Sequence, residues 1–304
     1  KTTTKGNYSI KLRKKIDSEE IEEIWNGDVE KEKLNTEYFG LGDLEVSYND
    51  KLLAYSLDLK GSEYYTIHIR DINSKKIIGE KIENTSGGIT FSLDDKYIFY
   101  SKLDDNHRPR EIYRHEIGAP TSKDMLIFKE ESEAFTVGIG LSSDEKYFFI
   151  TSSDHNTSEQ YYFKADEISP KPKLIDKRKR GIIYSVNSWN GNFYKHTNED
   201  AEDFKIEKTN DLEKKIWETF IPAQEEVLIG GLIFLNNWII RSETSNALSK
   251  LILRNPKNNN EEEIFFSDEK VIVPGVSLTQ RDRNTDTVYL SYSSPKTPGR
   301  TYLY

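Results

Sequence analysis

A polar turn recurs along the chain at a nearly constant interval, and this repeat constrains the fold more than any single motif. The turn at Ser92 is followed by an aromatic strand, a charged loop and a second strand that ends near Gly118. Equivalent turns recur at intervals of 45 to 50 residues, at Ser47, Ser142, Trp189, Asn236 and Asn284. One such unit leaves an apolar face uncovered on each side, so it must stack on copies of itself. A period of this length with four short strands predicts the blades of a β-propeller.

The number of units predicts an all-β, seven-bladed propeller with four-stranded antiparallel blades. Residues 1–36 supply two strands and a charged loop, so they form a partial first blade, and residues 40–304 supply six further blades. Because the last blade stops inside its third strand, the first and last blades are both expected to be incomplete within a single propeller domain. The one helix-like stretch, Glu213 to Phe220, lies where the repeat requires the last strand of a blade. A β-sandwich is the alternative, but it gives no reason for a turn at a constant interval.

Composition excludes several classes of function. Aromatic residues make up 12% of the chain, which lets a sequence with only 35% hydrophobic residues close a core. The net charge of −9, without a basic patch, argues against a nucleic-acid partner. No apolar run reaches the roughly 20 residues of a membrane span, so no membrane partner is expected. The chain has no Cys, which excludes thiolate chemistry and suits a reducing compartment such as the cytoplasm.

The residues suited to chemistry do not form a known catalytic pattern. Asn84 to Gly88 comes nearest to the nucleophile motif Gly-x-Ser-x-Gly, but Asn84 replaces the first glycine and the stretch lies between strands. The five His residues show no metal-ligand spacing, and His115 is expected to cap a strand in a polar cluster with Arg114. The sequence therefore predicts no catalytic residue, no metal and no cofactor within the chain.

A series of short motifs resembles one known family. Arg108-Pro109 is followed by Ile112-Tyr113-Arg114-His115, and other matches occur in family order at residues 38–42, 52–56, 61–66, 83–87, 221–222, 238 and 291–294. With these motifs the chain resembles the propeller of the oligopeptidase B (protease II) branch of the prolyl oligopeptidase family of serine peptidases.

The resemblance implies a propeller that covers an α/β-hydrolase domain, which supplies the catalytic Ser, Asp and His. Such a propeller gates and filters the access of short peptides, which the oligopeptidase B branch cleaves after Lys or Arg. The implied partners are the hydrolase domain of the same polypeptide and short basic peptides. The hydrolase residues are absent from this sequence, so the chain alone is expected to be inactive.

The resemblance also implies that the loops between second and third strands face the hydrolase domain. Glu63, Arg108 and Arg110 are the leading candidates for contacts across that boundary, since surfaces that open and close favour exchangeable polar pairs. Thr157 and Ser158 are expected to approach bound peptide. The alternative for these positions is an ordinary solvated charge or turn residue. A propeller that acts only as a protein-interaction platform also stays open, because fold alone does not exclude it.

Overall fold

The computed structural model describes residues 2–15, 18–266, 272–279 and 284–304. It divides the chain into two compact units. Unit 1 comprises residues 1–140 and 169–171, and unit 2 comprises residues 141–168 and 172–304. In both units the regular secondary structure is almost entirely antiparallel β-strand, as the repeat predicts.

Unit 1 contains a three-stranded sheet followed by a seven-stranded sheet. The first has the order β1-β2-β3, with β1 (Thr2–Thr4), β2 (Ser9–Lys14) and β3 (Ile21–Asn26). The second runs in chain order through β4 (Gly40–Val46), β5 (Leu52–Asp58), β6 (Tyr65–Asp71), β7 (Ile82–Phe91), β8 (Tyr97–Leu103), β9 (Pro109–Glu116) and β10 (Met125–Lys129). A 3-10 turn (Thr121–Lys123) precedes β10, and β11 (Thr136–Leu141) ends at the first residue of unit 2.

Helix α1 (Gly27–Leu34) lies in the segment that the sequence suggested would be a charged loop. Asn26 caps its N-terminus, with the side-chain oxygen accepting a hydrogen bond from the Val29 N–H, and acidic residues occupy the first turn. Asn35 ends the helix in the left-handed conformation with φ 49°. These capping residues lie next to the helix in the sequence, so the helix could have been predicted from them. The repeat pattern led to the prediction of a loop instead.

Unit 2 contains four smaller sheets. Their strands, in chain order, are β12 (Tyr147–Ser153), β13 (Ser158–Lys164) and β14 (Lys173–Leu174); β15 (Tyr184–Trp189), β16 (Asn192–Thr197), β17 (Lys205–Thr209) and β18 (Glu218–Ile221); β19 (Leu228–Phe234), β20 (Ile239–Ser245), β21 (Leu248–Arg254) and β22 (Glu261–Glu263); and β23 (Val273–Leu278), β24 (Val288–Ser293) and β25 (Arg300–Leu303). Strand β18 confirms that the helix-like stretch before it ends in the last strand of its repeat.

The prediction of seven four-stranded blades is wrong. The described residues form five small sheets of blade type and one seven-stranded sheet. The physical reason lies in β7, which pairs with β6 through Ile82 and Thr85 and with β8 through Thr85 and residues 89–91. Gly87, at φ 96°, lets this strand pass from one repeat to the next without a break, so two repeats share one sheet. A sequence period cannot distinguish this shared strand from two separate ones.

The recurring polar turn is a hydrogen-bonded motif. The Ser92 hydroxyl accepts the Tyr97 N–H at 3.0 Å and donates to the Asp94 carboxylate at 2.7 Å. Ser47 and Ser142 make the same two kinds of contact in their own turns. The Asp95 carboxylate reaches the preceding turn of unit 1, where it accepts two backbone N–H groups at 2.6 and 2.8 Å. The turns therefore join successive repeats as well as the strands within each.

Candidate functional site

Three of the loops between second and third strands begin with an Asp that organises the backbone. The Asp58 carboxylate accepts the N–H groups of Lys60, Gly61 and Glu63 at 2.9, 3.0 and 2.7 Å. Asp104 and Asp154 make the same type of bond to the residues two or more positions further on. A side chain that satisfies several N–H groups fixes a loop without help from a sheet. These aspartates were missed as site residues, although they recur with the repeat.

Burial and hydrogen bonding act in opposite directions on Asp58. Its side chain is buried, which by itself would raise the pKa of the carboxyl group. The backbone N–H groups that point at the carboxylate outweigh burial and hold the pKa below its usual value. Asp58 therefore stays ionised at the base of the loop that carries Glu63.

Glu63 lies at the outer end of this loop with its carboxylate in solvent. The residue adopts φ 59°, and its side chain is 81% exposed. Its Oε2 atom lies 3.9 Å from Nε2 of His107 in the neighbouring loop, and the ring of Tyr64 packs edge-on against His107 at 4.2 Å between centroids. The loops 59–64 and 104–108 therefore lie side by side, with Glu63 and Asp105 exposed. Sequence reasoning had given His107 no role.

Arg108 and Arg110 both bind backbone carbonyl groups of the segment that follows β10. Arg108 Nη1 donates to the Glu133 carbonyl at 2.7 Å. Arg110 donates through Nε and Nη2 to the Glu130 carbonyl at 2.9 and 2.6 Å, and its side chain is only 12% exposed. Arg110 thus stabilises the loop, whereas Arg108 is exposed. A cavity of about 310 Å³ borders this region, lined by Lys102, Leu103, Asp104, Asp105, Arg110, Glu111 and Lys129.

Thr157 and Ser158 are buried and hold a neighbouring segment of unit 2. The Thr157 hydroxyl accepts the Gly181 N–H at 3.1 Å. The Ser158 hydroxyl donates to the Tyr184 carbonyl and accepts the Tyr184 N–H, both at 2.7 Å. Tyr184 in turn lines a cavity of about 250 Å³ together with Asp176, Lys177, Lys179, Ile182, Lys195, Glu199 and Trp217. In this conformation both side chains serve to position the wall of that cavity.

One His–Asp pair has the hydrogen-bond geometry of a catalytic pair, but its surroundings do not suit catalysis. His115 Nδ1 lies 2.7 Å from the Asp124 carboxylate, which also accepts the hydroxyl of Tyr100 at 2.9 Å. His115 is fully buried, and within the described ranges its Nε2 atom has no hydrogen-bond partner, so no hydroxyl nucleophile is poised on it. The sequence had suggested a cluster with Arg114, but the partner of His115 is Asp124, and the Arg114 guanidinium lies over the ring of Tyr97.

Among the described residues no group of three or more His, Cys, Asp or Glu side chains could hold a metal ion. In the same part of the chain, no helix has the length and apolar character needed to cross a bilayer.

Comparison with known proteins identifies what the chain resembles. The family model for the prolyl oligopeptidase N-terminal β-propeller domain matches residues 1–304. Dipeptidyl aminopeptidase BI of Pseudoxanthomonas mexicana is 28% identical over 271 residues, which cover 88% of this chain and 37% of that protein. Protease 2 of Moraxella lacunata is 27% identical over 254 residues, covering 82% of this chain and 36% of the relative. The chain thus spans well under half the length of these relatives.

Solved structures show the same fold. Oligopeptidase B from Leishmania major superimposes with a TM-score of 0.90 at 20% identity, covering 97% of this chain and 44% of that one. Oligopeptidase B from Trypanosoma brucei, in a closed form with covalently bound antipain, gives a TM-score of 0.87 at 24% identity, covering 97% and 43%. At these identities the likeness establishes the fold alone.

Proposed function

Because the chain belongs to the family of prolyl oligopeptidase N-terminal β-propeller domains, we propose that it gates and filters the access of peptides to a serine-peptidase active site. Residues 1–304 act as one propeller domain, and the catalytic Ser, Asp and His belong to an α/β-hydrolase domain of the parent polypeptide. The chain alone is inactive. The likeness to Protease 2 supports a peptidase as the parent enzyme. We further propose, from the motifs that resemble the oligopeptidase B branch, that this enzyme is cytoplasmic and cleaves short peptides after Lys or Arg.

The observation that carries this proposal is the exposed carboxylate of Glu63 on a fixed loop. Asp58 holds the Glu63 backbone, and the side chain is free to meet a cationic group on a facing surface. An exposed charge on an ordered loop suits a contact that forms when a gate closes and breaks when it opens. Arg108 is a second, exposed contact residue in this proposal, whereas Arg110 and the pair Thr157 and Ser158 act by holding their loops in place.

The test compares two charge-neutralising variants in the full-length enzyme. Glu63→Gln removes the proposed contact, and Glu116→Gln removes an exposed carboxylate at the far end of β9, about 24 Å along the strand from the loop. We expect Glu63→Gln to change kcat/KM for Lys and Arg peptides and to shift the upper limit of peptide length, and Glu116→Gln to change neither.

The outcomes separate the hypotheses. Equal kinetics for both variants over peptides of several lengths would remove Glu63 from the gate. A parent gene without a hydrolase domain would exclude gating altogether and favour an interaction platform.

A further inference from the structure

The tripeptide Trp-Asn-Gly occurs at residues 25–27 and again at residues 189–191. When glycine follows asparagine, its backbone nitrogen can attack the side-chain amide carbon with little steric hindrance, because glycine has no side chain and a flexible backbone. The residues on both sides of the asparagine are identical in the two copies. A difference in their reactivity must therefore come from the fold.

Asn190 lies in an open hairpin turn. Asn190 and Gly191 form the two-residue connection between β15 and β16, closed by the pair Trp189 and Asn192. Both central residues have positive φ, 48° and 75°, as a type I′ turn requires, and both are exposed. Across the described ranges, neither the Asn190 side-chain amide nor the Gly191 N–H makes a hydrogen bond. The reacting groups are therefore accessible and unrestrained.

Both polar atoms of the Asn26 side chain make hydrogen bonds. Its side-chain oxygen accepts the Val29 N–H at 3.4 Å as the cap of α1, and its Nδ2 donates to the Glu23 carboxylate at 3.2 Å. Gly27 is buried, and a Cβ atom there would lie 2.6 Å from Cβ of Tyr8. The side chain cannot swing onto the Gly27 nitrogen unless the start of α1 opens.

We propose that Asn190 is a site of spontaneous deamidation and that the fold protects Asn26. The Gly191 backbone nitrogen gives its proton to a solvent base and attacks Cγ of Asn190. The new N–Cγ bond closes a succinimide ring, and the Cγ–Nδ2 bond breaks as ammonia leaves with a proton taken from solvent. Water then opens the ring at either carbonyl and yields aspartate or isoaspartate at position 190. The net change consumes one water and releases one ammonia, with no oxidation or reduction.

The two products differ in their effect on the hairpin. Aspartate fits the required backbone conformation, because Asp50 and Asp95 adopt positive φ values of 60° and 56° in longer turns at the same place in the repeat. Isoaspartate adds a backbone carbon to a turn whose two dihedral pairs are fixed by the flanking strands, so it weakens the pairing of β15 with β16.

The experiment follows both asparagines in one sample. The chain is incubated at mildly alkaline pH, folded or in concentrated urea, and analysed by peptide mapping and isoaspartate-specific methylation. In the folded chain we expect Asn190 to convert at least about tenfold faster than Asn26, the factor that matches about 1.4 kcal/mol for opening the helix cap. In urea the rates become equal. Asn190→Gln serves as the control that abolishes the signal from this peptide.

Equal rates in the folded chain, or faster conversion of Asn26, would overturn the proposal. A difference that persists in urea would do so too, because it would place the cause in the sequence rather than in the fold.

Discussion

Replacing Asp58 with alanine tests whether one carboxylate organises the loop that carries Glu63. The substitution removes the acceptor for three backbone N–H groups at 2.7 to 3.0 Å. A hydrogen bond to a charged group contributes about 1.5–3 kcal/mol, but the freed N–H groups of a surface loop regain water. We therefore expect Asp58→Ala to lower the free energy of unfolding by about 2–4 kcal/mol, and Asp58→Asn by less because it keeps one acceptor oxygen.

The same reasoning gives the pH dependence. Because the native state holds the pKa of Asp58 below its usual value, the stabilisation is fully present above the unfolded-state pKa of about 4. It is lost as the pH falls through the lower pKa of the folded state. The gap in stability between the wild-type chain and Asp58→Ala should therefore be constant at neutral pH and shrink in acid.

Urea unfolding followed by Trp fluorescence measures the free energy, and hydrogen exchange at Lys60 and Gly61 measures the loop directly. Asp105→Ala is the matched control, since it removes an exposed carboxylate from the neighbouring loop and should change stability by less than about 0.5 kcal/mol. If Asp58→Ala and Asp105→Ala behaved alike, or if amide exchange in the 59–64 loop were unchanged, Asp58 would not be the organiser of this loop.

Three further comparisons between variants test the core and the charged contacts. Ile98→Ala, at a fully buried position, should cost about 2–5 kcal/mol in urea unfolding, whereas Ile77→Ala at a 53% exposed position should cost little. Arg241→Ala removes the buried cation between Glu243 and Glu261, which keep Lys250 and Arg254 as partners. It should therefore cost less than the about 3–5 kcal/mol of a buried charge left without a partner, and replacing Arg241 with Met together with both carboxylates should cost less again. Arg110→Ala should destabilise the chain more than Arg108→Ala, because only Arg110 is largely buried; thermal unfolding of both variants would reveal the reverse order if the assignment is wrong.

The repeat was sufficient to predict most strands and the recurring turns, but not β1, helix α1 or the number of sheets. The Ser92 turn can be recognised in the sequence because its hydrogen bonds and its backbone require particular residue types. It needs a hydroxyl group, a carboxylate and a residue that tolerates positive φ. Two repeats share one sheet through β7 because of the backbone conformation at Gly87. A glycine in a sequence shows that unusual φ values are allowed, but not which conformation the chain adopts.

The site residues divide in a similar way. Exposure could be predicted for Glu63, which lies in a loop rich in polar residues. Arg108 and Arg110 both donate to carbonyl groups of the segment after β10, but only Arg110 is largely buried by it. The sequence does not show the path of that segment, so this difference in burial could not be predicted. Thr157 and Ser158 were chosen for their position in the repeat, and only the structure shows that their hydroxyl groups bind the segment at Gly181 and Tyr184.

The same kind of restraint explains both the candidate gate and the proposed deamidation site. Asp58 and Asn26 each accept backbone N–H groups, and such bonds fix the local backbone. A neighbouring residue then either gains a defined position or loses the freedom that a backbone reaction requires. Glu63 gains a defined position from such a bond, and Gly27 loses its access to the Asn26 amide. Gly191 has no such bond within the described residues, so the same tripeptide becomes reactive there. In a fold built from repeated short loops, the hydrogen bonds of the side chain at the start of a loop thus determine what the loop does. The loop can present an exposed group, hold another segment in place, or leave its backbone nitrogen free to react.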